Sequence, residues 1–272
     1  MNLIIVQGFS FASLVLIFLY TFQKYPINTK QIKYMIYAAF FVLLNVVLNA
    51  IAPLIPFFGV PSVKISLSLL PLMIGGALLP PSWAFLLGFV SDVIGLLITP
   101  TSFPFFGFTL NHVLAAVLPS LWYQKNKTLH PKIVERGLYV VSILIATITS
   151  VYIFCMDSVV IAQEIFVIRI AVKSGIVLFI WCVTLFMLGI IYVLRQRMKD
   201  ELVSEFIKWV VASFVVSILL SVILTPTWLS VMYEKPWFVF AFLQVVKTCI
   251  LIPVYILLGF SVMKMMKKYI GE

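Results

Sequence analysis

Residues 65–122 read ISLSLLPLMIGGALLPPSWAFLLGFVSDVIGLLITPTSFPFFGFTLNHVLAAVLPSLW, apolar stretches broken by Pro and Gly and carrying one carboxylate, Asp92. Hydrocarbon offers no water to a loose amide, so Gly75-Gly76 and Pro80-Pro81 at such depth imply tight helical hairpins or a lined cavity. An acid in that setting is costly. It marks either a functional site or a structural group holding two helices together, and both readings stand for Asp92 on sequence alone.

Outward from this stretch the chain keeps the same character. Its 272 residues are 63% hydrophobic and 10% charged, whereas a soluble globule is roughly half apolar and a quarter charged. The fold class that follows is all-α, a polytopic membrane helical bundle. Runs long enough to cross a bilayer, about 20 residues each, fall at 3–23, 34–53, 107–123, 137–156, 165–194, 207–225 and 236–263. Two shorter helices in 64–98 turn at Pro80-Pro81, for nine crossings in all. The run 165–194 exceeds one span and so tilts or emerges from the membrane.

The formal charge of +10 gives no support to a nucleic-acid role, because the basic residues alternate between loops. With the N-terminus outside and the C-terminus cytoplasmic, Lys24, Lys30 and Lys33, the cluster Lys125 to Arg136, the cluster Arg195 to Lys208, and Lys264, Lys267 and Lys268 all face the cytoplasm. Lys64 and Lys235 remain in outer loops. Arg169, Lys173 and Lys247 lie near the outer ends of apolar segments, where snorkelling to the headgroups competes with a pocket or structural role. Arg169 and Lys173 are four apart and share a helix face. The segments 137–199 and 207–269 read as a weak repeat aligning Lys173 with Lys247, with convergence as the alternative.

Catalytic and metal patterns are missing from the sequence. Cys155, Cys182 and Cys249 sit in apolar runs without metal spacing and read as small core hydrophobes. His130 falls in a basic loop; His112, beside Asn111, reads as a helix-packing residue. No HExxH, GxSxG or GxxxxGK[ST] occurs, so the expectation is neither an enzyme nor an ATPase. Aromatic and polar residues do gather at the outer side: Phe57 and Phe58, Phe105, Phe106, Phe108 and Thr109, Thr227, Trp228, Tyr233 and Trp237. An interfacial belt accounts for many of them. A stiff Phe-Pro-Phe-Phe-Gly-Phe turn above Asp92 would make a concave site that stacks a planar ligand.

Two stretches carry a family likeness. LPLMIGGALLPPSWAFLLGFVSDVIGLLITPTSFPFFGFTLNHVLAAVLPSLW resembles the small-residue turn, G-x-x-x-D-x-x-G and F-F-x-G-F-T-L segments of S-components of energy-coupling factor (ECF) vitamin transporters, above all the folate-family branch. LTPTWLSVMYEKPWFVFAFLQVVKTCILIP is similar to that branch's last hairpin. The resemblance implies a six-helix substrate-binding subunit that captures folate or a related planar vitamin-like heterocycle. It also implies partners: a transmembrane coupling subunit and two cytoplasmic ATPases, which use the ATP, with no cofactor or metal in this chain.

Mapped on this chain, the resemblance implies four parts: an extra N-terminal helix and loop at 1–32, four core helices at 33–124 with a lid at 54–63, an inserted hairpin at 125–200, and the last two core helices at 201–272. The six-helix core would thus carry about three additional transmembrane helices. Substrate binding falls to Asp92, Phe105, Phe106, Thr109, Trp228, Tyr233, Gln244 and Lys247, with Phe57 and Phe58 in the lid. Gln244 stands where the branch has Arg, and an amide clamps a carboxylate less well. Ala84 and Gly88 are the expected docking pair for a partner helix. Two other functions compete with this one, a membrane scaffold or accessory subunit that kept the fold, and a self-sufficient secondary transporter.

Overall fold

The computed structural model describes residues 3–27, 32–52, 54–57, 60–98, 104–125, 131–155, 158–161, 164–167, 170–197 and 200–270. The chain divides into two compact units.

The first unit comprises residues 1–56, 61–127 and 208–272. It holds α1 (Leu3–Lys24), α2 (Ile32–Ala50), α3 (Leu69–Leu78), α4 (Pro81–Ile98) and α5 (Phe106–Lys125). A nearly continuous rod follows, made of α8 (Asp200–Val216, its first turns in the second unit), a π-helical segment Ser217–Leu224 and α9 (Thr225–Tyr233); α10 (Trp237–Ile270) closes the unit. Pro81 opens α4, where a missing N–H costs nothing. The segment expected to start a helix at 64 instead ends a short strand pair, β1 (Leu54–Phe57) with β2 (Val60–Lys64), and α3 begins only at Leu69. Pro61 and the β-branched Val60 and Val63 favour extended chain there.

Small residues set the helix spacing. A Cβ at Gly76 would sit 2.0 Å from the Ala116 carbonyl oxygen of α5, and one at Gly88 would sit 2.5 Å from that of His112. Polar side chains then close the backbone groups that turns leave open. Asn45 donates to the Ser68 carbonyl at 2.6 Å, Ser66 to that of Leu48 at 3.1 Å, and Ser120 to that of Leu79 at 2.6 Å. In a medium without water each such bond replaces an unsatisfied carbonyl.

The second unit comprises residues 57–60 and 128–207 and is built on α6 (Pro131–Cys155) and α7 (Ile170–Arg197). Between them β3 (Ser158–Ile161) pairs antiparallel with β4 (Glu164–Val167), so residues 165–167, expected within a long helix, are strand. The hydroxyls of Ser142, Thr147 and Ser150 bond back to carbonyls four residues earlier, which satisfies them inside an apolar helix.

Among the described residues, seven helical segments are long and apolar enough to span a membrane. Of the remaining two expected crossings, α3 has only 10 residues, and α5, with 20, falls outside the seven. The polar residues Thr109, Asn111 and His112 in α5 lower its hydropathy. The molecule is a multi-pass membrane helical bundle, with two short two-stranded sheets among the described residues.

Candidate functional site

Asp92, in the second half of α4, is buried in the first unit at 7% exposure. Thr109 and His112 stand three apart on α5 and therefore face it together. Thr109 Oγ1 donates to Asp92 Oδ2 at 2.6 Å, and His112 Nδ1 lies 3.1 Å from Asp92 Oδ1. The same nitrogen is 3.1 Å from the Phe108 carbonyl. Two acceptors at Nδ1 assign the proton there, leaving Nε2 as the variable position. The two readings of Asp92 thus merge: it ties α4 to α5, and it lines a hollow.

That hollow is a cavity of about 270 Å³. Asp92, Gly95 and Leu96 line it from α4, Phe108, Asn111 and His112 from α5, and Asn49 from α2. Lys64, Ser66, Ser68 and Leu69 line it ahead of and at the start of α3, and Lys247, Leu251 and Tyr255 do so from α10. Leu220, Ser221 and Thr225 come from the π-helical segment and the residue after it. A π turn carries an additional residue and is often found at functional sites. Here Thr225 Oγ1 bonds the Leu220 carbonyl five residues back at 2.7 Å, and Pro226 follows without an N–H. Asn111 Nδ2 donates to Thr225 Oγ1 at 3.2 Å, while its Oδ1 accepts from Trp228 Nε1 at 3.1 Å, so the amide has one orientation. Tyr255 Oη reaches the Ser66 carbonyl at 3.3 Å. Lys64 lies outside the spans, and burial pushes its ammonium below the usual lysine pKa.

The residues expected from sequence separate into those at the cavity and those elsewhere. Asp92 and Lys247 line it, and Thr109 is bonded to its acid. Phe105 and Trp228 are buried at 3% each with ring centroids 5.8 Å apart, a wall behind the Asn111 amide rather than a lining. Phe106 departs from expectation: it is 45% exposed, packs on Phe11 of α1 at 5.3 Å, and its N–H bonds Gln7 Oε1. Its place as the first residue of α5 turns it toward α1. Tyr233 packs near Phe240, and Gln244, 2% exposed one turn before Lys247, is not a lining residue.

The docking pair is also corrected. Ala84 is 0% exposed, and Gly88 is filled by the α5 backbone, so their smallness serves the α4–α5 contact inside the unit. In the second unit, Lys173 is 5% exposed and donates to the Phe154 carbonyl at 3.2 Å. Arg169, Phe58 and the Phe57 side chain lie outside the described residues.

His112, Asn111, Asn49, Lys64 and Tyr255 are among the lining residues sequence reasoning missed. The available signal was polarity inside apolar helices: Asn45 and Asn49 four apart, and Thr109, Asn111 and His112 within one turn. Glu135 was missed too. It is 2% exposed near the start of α6, ion-paired with Arg195 of α7 and accepting from Tyr139 at 2.8 Å.

A family model described as "ECF transporter, substrate-specific component" matches residues 33–183, more than half of the chain. The match runs from α2 into α7 and so takes in α6. A protein named "Folate transporter FolT" from Clostridium novyi (strain NT) is 28% identical over 116 residues, or 43% of this chain. The matched stretch spans 64% of that relative, short of two thirds of its length. A structure titled "Crystal structure of FolT bound with folic acid" is similar at a TM-score of 0.49 and 19% identity, covering 85% of this chain and 94% of that one.

Proposed function

This chain belongs to the family of substrate-specific components of ECF transporters, and from that premise we propose that it captures folate or a related planar heterocycle in the cavity around Asp92. The observation that carries the reading is a buried carboxylate, Asp92, braced by Thr109 and His112 at the wall of a hollow lined by Asn49, Asn111 and Phe108. A pterin-like ring presents a row of N–H donors and ring acceptors on one edge. Asp92 would accept from that edge, the neighbouring amides and the free His112 nitrogen would complete the pattern, and Phe108 would contribute an aromatic face. At about 270 Å³ the cavity is just below the roughly 300–1,000 Å³ of small-molecule sites, a size that suits the ring and the start of a tail.

In this reading the cavity faces outward, in keeping with a positive-inside charge pattern that puts the N-terminus outside. A coupling subunit and two ATPases, acting on ATP, would complete the importer. The test is equilibrium titration of the purified chain in lipid nanodiscs with folic acid, read by intrinsic tryptophan fluorescence and calorimetry. Saturable binding at one site per chain supports the reading. Failure to bind folic acid or any member of a panel of heterocyclic vitamins would sink it. Purification from native membranes, with the co-purifying chains identified by mass, tests the partners.

A further inference from the structure

α1 lies ahead of the residues that the family model matches, 33–183, yet it reaches both helices that build the site. Gln7, Phe11, Leu14, Phe18 and Phe22 follow one another at helical spacings of three and four and form one stripe of α1. Phe18 and Phe22 pack on Phe85 of α4, ring centroids 5.5 and 6.1 Å away, and Phe11 packs on Phe106 of α5 at 5.3 Å. Gln7 ends the stripe at the first turn of α5. The Phe106 N–H donates to its Oε1 at 3.0 Å, and its Nε2 donates to the Pro104 carbonyl at 3.4 Å. Ser10, Ser13 and Thr21 instead bond carbonyls of α1 itself. The Gln7 amide serves a different helix.

The first N–H groups of a helix have no partner within it, and apolar surroundings offer them no water. Gln7 supplies one such partner from 99 residues away in the chain. The turn it closes is the one the site depends on. Phe108 lines the cavity and gives its carbonyl to His112, and Thr109 donates to Asp92 at 2.6 Å. On its other side the same turn rests against α9, since a Cβ at Gly107 would sit 2.8 Å from the Trp228 ring. The entry turn of α5 is thus held from both sides, with Gln7 making the hydrogen bonds on the α1 side.

We propose that Gln7 is a positioning residue for the ligand site: through it α1 closes the first turn of α5 and holds Thr109 and Phe108 where a ligand meets them. Gln7 touches no ligand, and its effect passes through Thr109. The proposal rests on the reading of the Asp92 cavity as a heterocycle site. Without the Gln7 bonds the turn frays, fewer chains present the competent site, and apparent affinity falls by that fraction.

The experiment titrates the full chain in lipid nanodiscs with folic acid by calorimetry and follows backbone hydrogen exchange across 104–112 by mass spectrometry. Gln7→Leu is expected to speed exchange at the start of α5 and to weaken folic acid binding ~3–10-fold. Gln7→Glu keeps an acceptor at the helix N-terminus and should bind within about twofold of the unaltered chain. Phe18→Ala, on the same stripe but against α4, should lower the melting temperature and leave affinity within about twofold. In a Thr109→Val background the effect of Gln7→Leu should shrink below about twofold, because the two residues act in series. In the unaltered chain, saturating folic acid should slow exchange of the 106–109 amides.

Equal losses of affinity in Gln7→Leu and Phe18→Ala would make Gln7 an ordinary packing residue and overturn the proposal while leaving the heterocycle site standing. Unchanged affinity in Gln7→Leu, or losses that add fully with Thr109→Val, would do the same. So would exchange at 106–109 that ignores saturating folic acid, a measurement that needs no variant and so does not depend on Gln7→Leu folding. An unaltered chain that binds neither folic acid nor any other heterocyclic vitamin takes down both the proposal and the reading beneath it.

Discussion

Asp92 in the first unit and Glu135 in the second are both buried carboxylates on apolar helices, at 7% and 2% exposure. Glu135 faces a full cation, Arg195, and also accepts from Tyr139. Its charge is cancelled in place, and α6 is tied to α7. Asp92 is held by a hydroxyl and an imidazole and borders a cavity in which two lysines have no hydrogen-bond or ion-pair partner among the described residues. The lysines repeat the contrast, since Lys173 is bonded within its hairpin and Lys247 opens onto the hollow. Burial alone therefore does not distinguish a brace from a binding site. The distinction lies in whether the polar groups satisfy one another or leave capacity directed at empty space.

The most damaging way to test that contrast is to fill the helix contact beneath the cavity. Gly88→Leu would drive a side chain into the α5 backbone at His112, and a loss of about 3 kcal/mol or more should appear as a lower melting temperature together with lost folic acid binding. Next comes Asp92→Asn, expected to weaken folic acid ~10–100-fold while thermal stability without ligand changes little. A collapse of stability with unchanged affinity would make Asp92 a brace like Glu135.

Glu135→Gln should behave in the opposite sense. It removes the partner of Arg195, whose side chain is 32% exposed, so the loss is about 2 kcal/mol, below the 3–5 of a fully buried pair, with ligand affinity intact in titration. Gly175→Ala in α7 meets nothing within 4 Å and should stabilise the helix by roughly 0.5–1 kcal/mol in a melting curve. The smallest effect is on pH dependence. Burial lowers the Lys64 pKa, so its ammonium is lost sooner than an ordinary lysine's near 10.4. Folic acid affinity should accordingly fall more steeply with rising pH, between about 7 and about 10, in the unaltered chain than in Lys64→Met.

Much of the scaffold was readable from one dimension because a membrane-spanning helix must satisfy its own backbone and present apolar side chains. Asp92 was readable for the same reason, as a lone acid where acids are costly. The short strands β2 and β4 were not, since an apolar run of a few residues next to a helix has no period that separates it from the helix. Phe106 and the pair Ala84 and Gly88 were misplaced through one cause. Aromaticity and smallness are legible in sequence, but the neighbour that uses them is not, and here the neighbours are α1 and the α5 backbone.

By itself the sequence determined that this chain lives in a bilayer, where most of its apolar helices fall though not where they end, and that residue 92 needs an explanation. Only the tertiary structure decided what that explanation is. Thr109, His112, Lys64 and Lys247 acquire meaning when three separate elements bring them to Asp92 and one hollow, and convergence of side chains from positions 49 to 255 is set by helix packing, which no local pattern records.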